Sequence, residues 1–367
     1  MHSTHAIKTE RRGPMPIMMH LALMALSQEN MQHILQGIHN YHHHDFRREN
    51  ELSPLESVWT AGASKLLHAP TKTPKQNHAP ILLIPSFING AEIFDLTQER
   101  SFMRWLAAQG YDVYLFDWGD LTSETTTPNL TTIITGKLVD ALSFVTAQHN
   151  TPVHVLGYCL GGNLALALTS YAEKSVKSLT LLATPWDFHH RDNALRRLLL
   201  DSDKNVRALA AKNGGLSTAY LQSLFIQTNI MQSAAKYANF GRNDPQSALA
   251  KHFVATEDWV NGGTDIPAAL IAECISIFYK DNASHTRQWA LDNGHNILPS
   301  QINCPCMIIT PKNDAIVPYA TSHALTLHMP EATCISPDTG HIGMLVGRKA
   351  EQICWQPILS FLAQHEK

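Results

Sequence analysis

Between residues 81 and 183 short apolar runs alternate with helix-length segments, and this alternation constrains the fold more than any other feature of the chain. Ile81-Leu-Leu-Ile84 stops at Pro85, residues 99 to 109 read as a helix, and Asp112-Val-Tyr-Leu-Phe116 is the next strand. Residues 131 to 149 follow as a helix, then Val153-His-Val-Leu156 as a strand, Leu160 to Ala172 as a helix and Ser178 to Ala183 as a fourth strand. Strands joined through single helices pair in parallel, are covered on both faces, and bring their carboxyl ends to the edge where catalytic groups collect. The pattern stops at Pro185 and resumes at Met307-Ile-Ile-Thr310, followed by a helix near 319 to 327, a strand near 332 to 336 and a C-terminal helix from about 349. The stretch between is mostly helical, with breaks at Gly214-Gly215, Asp244-Pro245 and Gly262-Gly263. The expected division is an N-terminal helical region over 1–74, a core over 75–185, an inserted cap over 186–300 and the rest of the core over 301–367. Helices near 17 to 38 and 54 to 67 are expected in the first region, which closes at Pro70 and Pro74.

The 367 residues are 44% hydrophobic and 16% charged, enough to bury a sizeable core. A net charge of -3 gives no case for nucleic acid, because counterion release needs clustered Lys and Arg. The six cysteines, Cys159, Cys274, Cys304, Cys306, Cys334 and Cys354, are scattered through a chain too large to need disulfides and read as reduced thiols. Cys304-Pro305-Cys306 has no second Cys/His pair at zinc-site spacing, so no metal is expected there. No run approaches the roughly 18 apolar residues of a membrane span. Ile17 to Leu26 follows Arg11-Arg12 as a leader would, but His20 interrupts it and Ser27-Gln28-Glu29-Asn30 offers no small-residue cleavage site. A docked helix and a cytoplasmic protein are expected, with His42-His43-His44 as a solvated turn.

His154-Val-Leu-Gly157-Tyr158-Cys159-Leu160-Gly161-Gly162 puts a G-x-C-x-G box at a strand-to-helix junction. That is where an α/β-hydrolase fold carries its nucleophile: the turn is strained, its neighbours two residues away must be small, and the following helix N-terminus favours a thiolate. Asp314, in Pro311-Lys-Asn-Asp-Ala-Ile-Val-Pro318, follows the strand after the insertion, and His341, in Gly340-His-Ile-Gly-Met344, follows the last strand. Nucleophile, acid and base then stand in the chain order of this fold. Taken singly, Asp314 is equally a turn residue and His341 one of 21 histidines; three such residues at three strand ends lack a structural explanation. The oxyanion hole needs two backbone N–H groups, one from Leu160 and one from Phe87 or Ile88, since Pro85 has none to offer. Trp186, Trp259 and Trp289 are expected in the core, with an acyl tunnel as their alternative place.

These residues resemble the polyhydroxyalkanoate synthases, in which cysteine replaces the serine of the α/β-hydrolase elbow. The resemblance runs over about residues 55 to 360. It includes the box around Cys159, Asn89 with Phe94-Asp95-Leu96, and Gln109-Gly-Tyr-Asp-Val-Tyr-Leu-Phe-Asp-Trp-Gly119. Asp187-Phe188, Asn313-Asp-Ala-Ile-Val-Pro318 and Gly340-His-Ile-Gly343 complete it. It implies an acylated Cys159, His341 as its base, and Asp314 orienting the histidine or helping to activate the incoming hydroxyl. The chain departs from the family at Gly90-Ala-Glu92, where synthases usually carry Arg-Pro-Tyr, and at Ala315, where many have His. The long N-terminal domain of the larger synthases is missing, so the length is like that of the short subunits that work with a second protein.

The resemblance implies (R)-3-hydroxyacyl-CoA as substrate, a polyester product, and a second synthase subunit or a homodimer as partner. A cysteine nucleophile suits transfer to an alcohol, because the thioester stays activated in the covalent intermediate. A cysteine-nucleophile acyl-CoA thioesterase or esterase is the first alternative. A non-catalytic granule- or acyl-binding protein is the second, and it has no need of Cys159, Asp314 and His341 together. No nucleotide, metal or flavin motif is visible, so no cofactor is expected beyond the CoA carried by the substrate.

Overall fold

The structure is a computed structural model, which describes residues 28–71, 78–190, 193–228 and 230–366. The expected docked helix over Ile17 to Leu26 lies outside the described residues, as does Pro74. Helix α1 (Gln28–His43) opens the described chain. The His tract ends this helix rather than forming a free turn, and His44 Nε2 hydrogen-bonds the Pro245 carbonyl at 2.8 Å.

The segment expected as a helix over 54 to 67 is instead an antiparallel hairpin of β1 (Glu56–Ala61) and β2 (Ser64–Ala69). Gly62, at φ +61°, begins its two-residue turn, a backbone state that glycine reaches without strain. Val58, Trp59 and Thr60 are β-branched or aromatic, and that composition favours strand over helix. The hairpin extends the main sheet, since β2 pairs antiparallel with β4 (Val113–Asp117).

Beyond the hairpin the strand and helix alternation appears as expected. β3 (Ile81–Ile84), α2 (Phe102–Ala108), β4, α3 (Leu130–His149), β5 (Val153–Tyr158), α4 (Leu160–Ala172) and β6 (Val176–Leu182) follow in turn. After β6 come α5 (Ala194–Asn213), β7 (Gly215–Leu216), α6 (Thr218–Thr228), α7 (Ile230–Arg242) and α8 (Ala248–Asn261). Then β8 (Ile266–Pro267) leads to α9 (Ala268–Cys274), which continues into a π-helical turn, Ile275–Lys280. β9 (Cys306–Ile309), α10 (Tyr319–His323), β10 (Thr333–Ile335), α11 (Gly343–Val346) and α12 (Gln356–Gln364) close the chain.

The eight-stranded sheet has the order β1-β2-β4-β3-β5-β6-β9-β10, and every pairing from β4 to β10 is parallel. All four residues of β3 are buried because both faces of the sheet are covered. Leu82 and Ile84 join the core under α3 and α4, while Ile81 and Leu83 join the core under α2 and α12. Among the described residues one helix, α3, is long and apolar enough by length and composition to cross a membrane, where none was expected. Its Ile133, Ile134, Leu138, Ala141 and Leu142 lie in the core that α4 shares. α1 packs on α7 and α8 through Ile34, Tyr41, Ala234, Tyr237 and Val254.

Candidate active site

β5 passes into α4 through Cys159, whose φ of 56° and ψ of -129° are costly for an L residue. The Cys159 N–H donates to the Leu182 carbonyl at 2.8 Å, and the Gly162 N–H donates back to the Cys159 carbonyl at 2.9 Å. A Cβ on Gly157 would stand 2.6 Å from the Ala165 Cβ, and one on Gly161 would stand 2.3 Å from the Ile84 carbonyl oxygen. The two glycines therefore let the turn close against α4 and β3. Gly161→Ala should destabilise the fold by about 1–3 kcal/mol, the usual cost of overpacking, because the methyl must push β3 away. Urea unfolding of the two proteins reads this directly, and equal stability would mean that the turn has more room than the contact allows.

Asp314 and His341 sit on two loops that follow β9 and β10. The loops are zipped by main-chain bonds from Lys312 N–H to the Pro337 carbonyl and from Asn313 N–H to the Thr339 carbonyl, both 3.0 Å. One carboxylate oxygen of Asp314 accepts the N–H groups of Ile316 (2.9 Å) and Val317 (2.8 Å). The other receives His341 Nδ1 at 2.6 Å, and both residues are buried. A bond to the carboxylate puts the proton on Nδ1 and leaves Nε2 for the sulfur. Burial opposes charge on the ring, but the Asp314 carboxylate and the Cys159 sulfur outweigh it and raise the His341 pKa to about 10. A sulfur, an imidazole and an orienting carboxylate in this relation are the parts needed for nucleophilic acyl transfer.

Leu160 is the first residue of α4, so its N–H has no partner within the helix. The Ile88 N–H donates to Ser86 Oγ at 3.1 Å, so an oxyanion would have to compete with that hydroxyl for it. Phe87 buries its ring edge-on against Trp118, with centroids 6.1 Å apart. Asn89 Nδ2 donates to the carbonyls of Trp259 (3.3 Å) and Val260 (3.1 Å), and Trp259 Nε1 donates to the Gly90 carbonyl at 2.8 Å. These bonds tie the loop after β3 to the end of α8.

Cys159 borders two cavities, one of about 590 Å³ and one of about 40 Å³. Phe225, Phe253 and Trp259 from the inserted helices line the larger one, as does His341. Of Trp186, Trp259 and Trp289, it is Trp259 that lines this cavity. Trp186 and Trp289 pack on each other in the core, with centroids 6.4 Å apart. Tyr158 is a neighbour that sequence patterns did not single out, although it adjoins the nucleophile. Its ring lies 4.9 Å from that of His341 and its hydroxyl donates to the His341 carbonyl at 3.3 Å. Asp187, the acid in the loop after β6, accepts from the His189 N–H and Asn282 Nδ2. The Cys306 thiol donates to the Cys304 carbonyl at 3.1 Å, and no cluster of three potential metal ligands occurs among the described residues.

The fold and the elbow define a class. Residues 79–348 match the family described as alpha/beta hydrolase fold, and the chain belongs to it. Within that class it is similar to the poly(3-hydroxyalkanoate) polymerase subunit PhaC of Haloferax mediterranei, 25% identical over 86% of this chain and 65% of the relative. It therefore spans just under two thirds of that relative's length. It is also 26% identical to the subunit of the same name from Allochromatium vinosum, over 82% of this chain and 86% of that one. A solved carboxylesterase of Nitrososphaera gargenis shares the fold, with a TM-score of 0.53 at 12% identity over 85% of this chain and 99% of that one.

Proposed function

We propose that this chain is an acyltransferase of the polyhydroxyalkanoate-synthase kind. It takes (R)-3-hydroxyacyl-CoA, holds the acyl group as a thioester on Cys159, and passes it to a hydroxyl of a polyester chain with release of CoA. The observation that carries this reading is a cysteine at the strained elbow beside a histidine whose Nδ1 lies 2.6 Å from Asp314. The Cys159 sulfur attacks the thioester carbonyl carbon, and the oxygen that gains charge is met by the Leu160 N–H. The bond to the CoA sulfur then breaks, and that sulfur leaves with a proton from His341. In the second half the acceptor hydroxyl oxygen attacks the acyl carbon, its proton goes to His341, and the Cys159 sulfur departs. Asp314 orients the ring throughout and carries its charge.

The segment over 186–300 acts as the cap, and its contribution is to keep water from the thioester. Aromatic residues of α6 and α8 along the larger cavity support this. The protein works in the cytoplasm, with a second synthase subunit or a second copy of itself as partner. Bulk water is present at about 55 M, whereas a well-held hydroxyl reaches an effective molarity of roughly 100,000 M or more. 3-Hydroxybutyryl-CoA should accordingly give ester-linked oligomers or polymer, in the presence of the partner if the chain needs one. Butyryl-CoA brings no hydroxyl acceptor and should acylate the enzyme once and stall. Mass analysis of the products separates the cases: steady turnover of both substrates to free acid, with no ester formed with any candidate partner, makes the enzyme a thioesterase.

A further inference from the structure

The two cavities at Cys159 differ in size and in what they touch. His341 borders the larger but not the smaller, whose wall among the described residues includes Leu160, Leu195, Ile316, Tyr279 and Thr321. On the acyl-transfer reading, on which this inference rests, His341 must reach both the leaving thiol and the incoming hydroxyl. Both groups therefore use the larger cavity, and the acyl group on the sulfur is left with the smaller one. A water molecule needs roughly 10–15 Å³ of such space. The 40 Å³ available takes about three water-sized groups, close to the four non-hydrogen atoms of CH2–CH(OH)–CH3.

Two residues of that wall carry hydroxyls with no hydrogen-bond partner among the described residues. Tyr279, in the π-helical turn after α9, is held by its edge-on contact with Phe188, with centroids 5.0 Å apart. Its carbonyl accepts from His189 Nε2 at 3.1 Å and Arg196 Nε at 3.0 Å. No hydrogen bond is made by its own hydroxyl among the described residues. Burial above all, and then the Cys159 sulfur, push the phenol pKa up, so the group keeps its proton and remains a donor. Thr321 is 1% exposed, and its hydroxyl also lacks a partner among the described residues. A buried hydroxyl such as that of Thr321 is ordinarily satisfied, and leaving it without a partner has a cost that a bound ligand can remove, whereas Tyr279 is half-buried and its hydroxyl is left available to a ligand.

We infer that Tyr279 reads the 3-hydroxyl of the acyl group in the smaller cavity, with Thr321 as a second hydrogen-bonding group, so that the enzyme selects 3-hydroxyacyl over plain acyl chains. Tyr279 is then a specificity-determining residue supplied by the inserted helices, which the elbow residues alone do not provide.

The test is the rate of acylation of Cys159 in the full chain, read by intact mass and by the first burst of CoA, with 3-hydroxybutyryl-CoA and with butyryl-CoA. Tyr279→Phe keeps the ring and removes the donor. It should slow acylation by the hydroxy substrate by roughly three- to ten-fold, the worth of one neutral hydrogen bond, and change butyryl transfer by less than about two-fold. Thr321→Val, which keeps the shape, should move the ratio in the same direction. An equal loss with both substrates would show a merely structural role, and an unchanged ratio in both variants would overturn the inference while leaving acyl transfer intact. If neither acyl-CoA labels Cys159 in the unmodified protein, the acyl-transfer reading fails and takes this inference with it.

Discussion

Cys159→Ala abolishes CoA release, lowering it by roughly 10,000-fold or more, as removal of a covalent nucleophile does, and leaves the fold as stable as before. The sulfur forms the bond that carries the acyl group, so nothing in the variant replaces it. Stability is kept because alanine has the same Cβ and meets the same backbone strain at φ 56°. The remaining thiols are poor substitutes. Burial pushes Cys274 up and Cys354 up to about 12, and the bond within the Cys304-Cys306 pair, together with burial, raises Cys306. Cys304→Ser and Cys306→Ser should therefore turn over normally. Near-normal CoA release by Cys159→Ala would sink the assignment, and a large loss from either serine variant would reopen a metal role for the pair.

His341→Gln slows acylation by about 100- to 10,000-fold, the range that general-base catalysis supplies. The amide cannot take up and return a proton between sulfur and leaving group. Asp314→Asn should cost less. The asparagine oxygen can still accept the Ile316 and Val317 N–H groups, but its amide then faces His341 Nδ1 and favours the wrong tautomer. Some acyl-enzyme should still form, and intact mass distinguishes the two variants. If Asp187→Asn were damaging and Asp314→Asn harmless, the acid would belong to the loop after β6 instead.

The same histidine links stability to pH. Its folded-state pKa is raised from 6.5 to about 10, so its charge stabilises the fold fully below about 6.5, and that contribution is lost as the pH rises through about 10. The difference in Tm between the natural protein and His341→Gln should shrink over that window. A difference that grows with pH would mean that the ring is held neutral.

The local periods of the sequence determined the core. Four-residue apolar runs such as Ile81–Ile84 mark strands covered on both faces, and the glycines around Cys159 mark a turn that only small neighbours allow. The order Cys159, Asp314, His341 was legible for the same reason, since each stands just past a strand end whose position the pattern fixes. The hairpin of residues 56–69 is not legible as strands because neither Glu56–Ala61 nor Ser64–Ala69 alternates in polarity: each has an adjacent apolar pair, Val58-Trp59 and Leu66-Leu67, on a half-exposed edge. The turn at Gly62 was the available clue.

What the sequence could not supply was anything decided by contacts far apart in the chain. The sheet order, with β3 between β4 and β5, comes from crossover connections, and no local period encodes it. Whether Trp186, Trp259 or Trp289 lines a cavity depends on how the inserted helices pack, because all three are large apolar side chains with the same local preference. Tyr279 and Thr321 meet Cys159 in one small cavity from elements on opposite sides of β9 in the chain. Lining a shared cavity has no periodicity of its own, so only the packed tertiary structure decided that these two residues border the same space as Cys159.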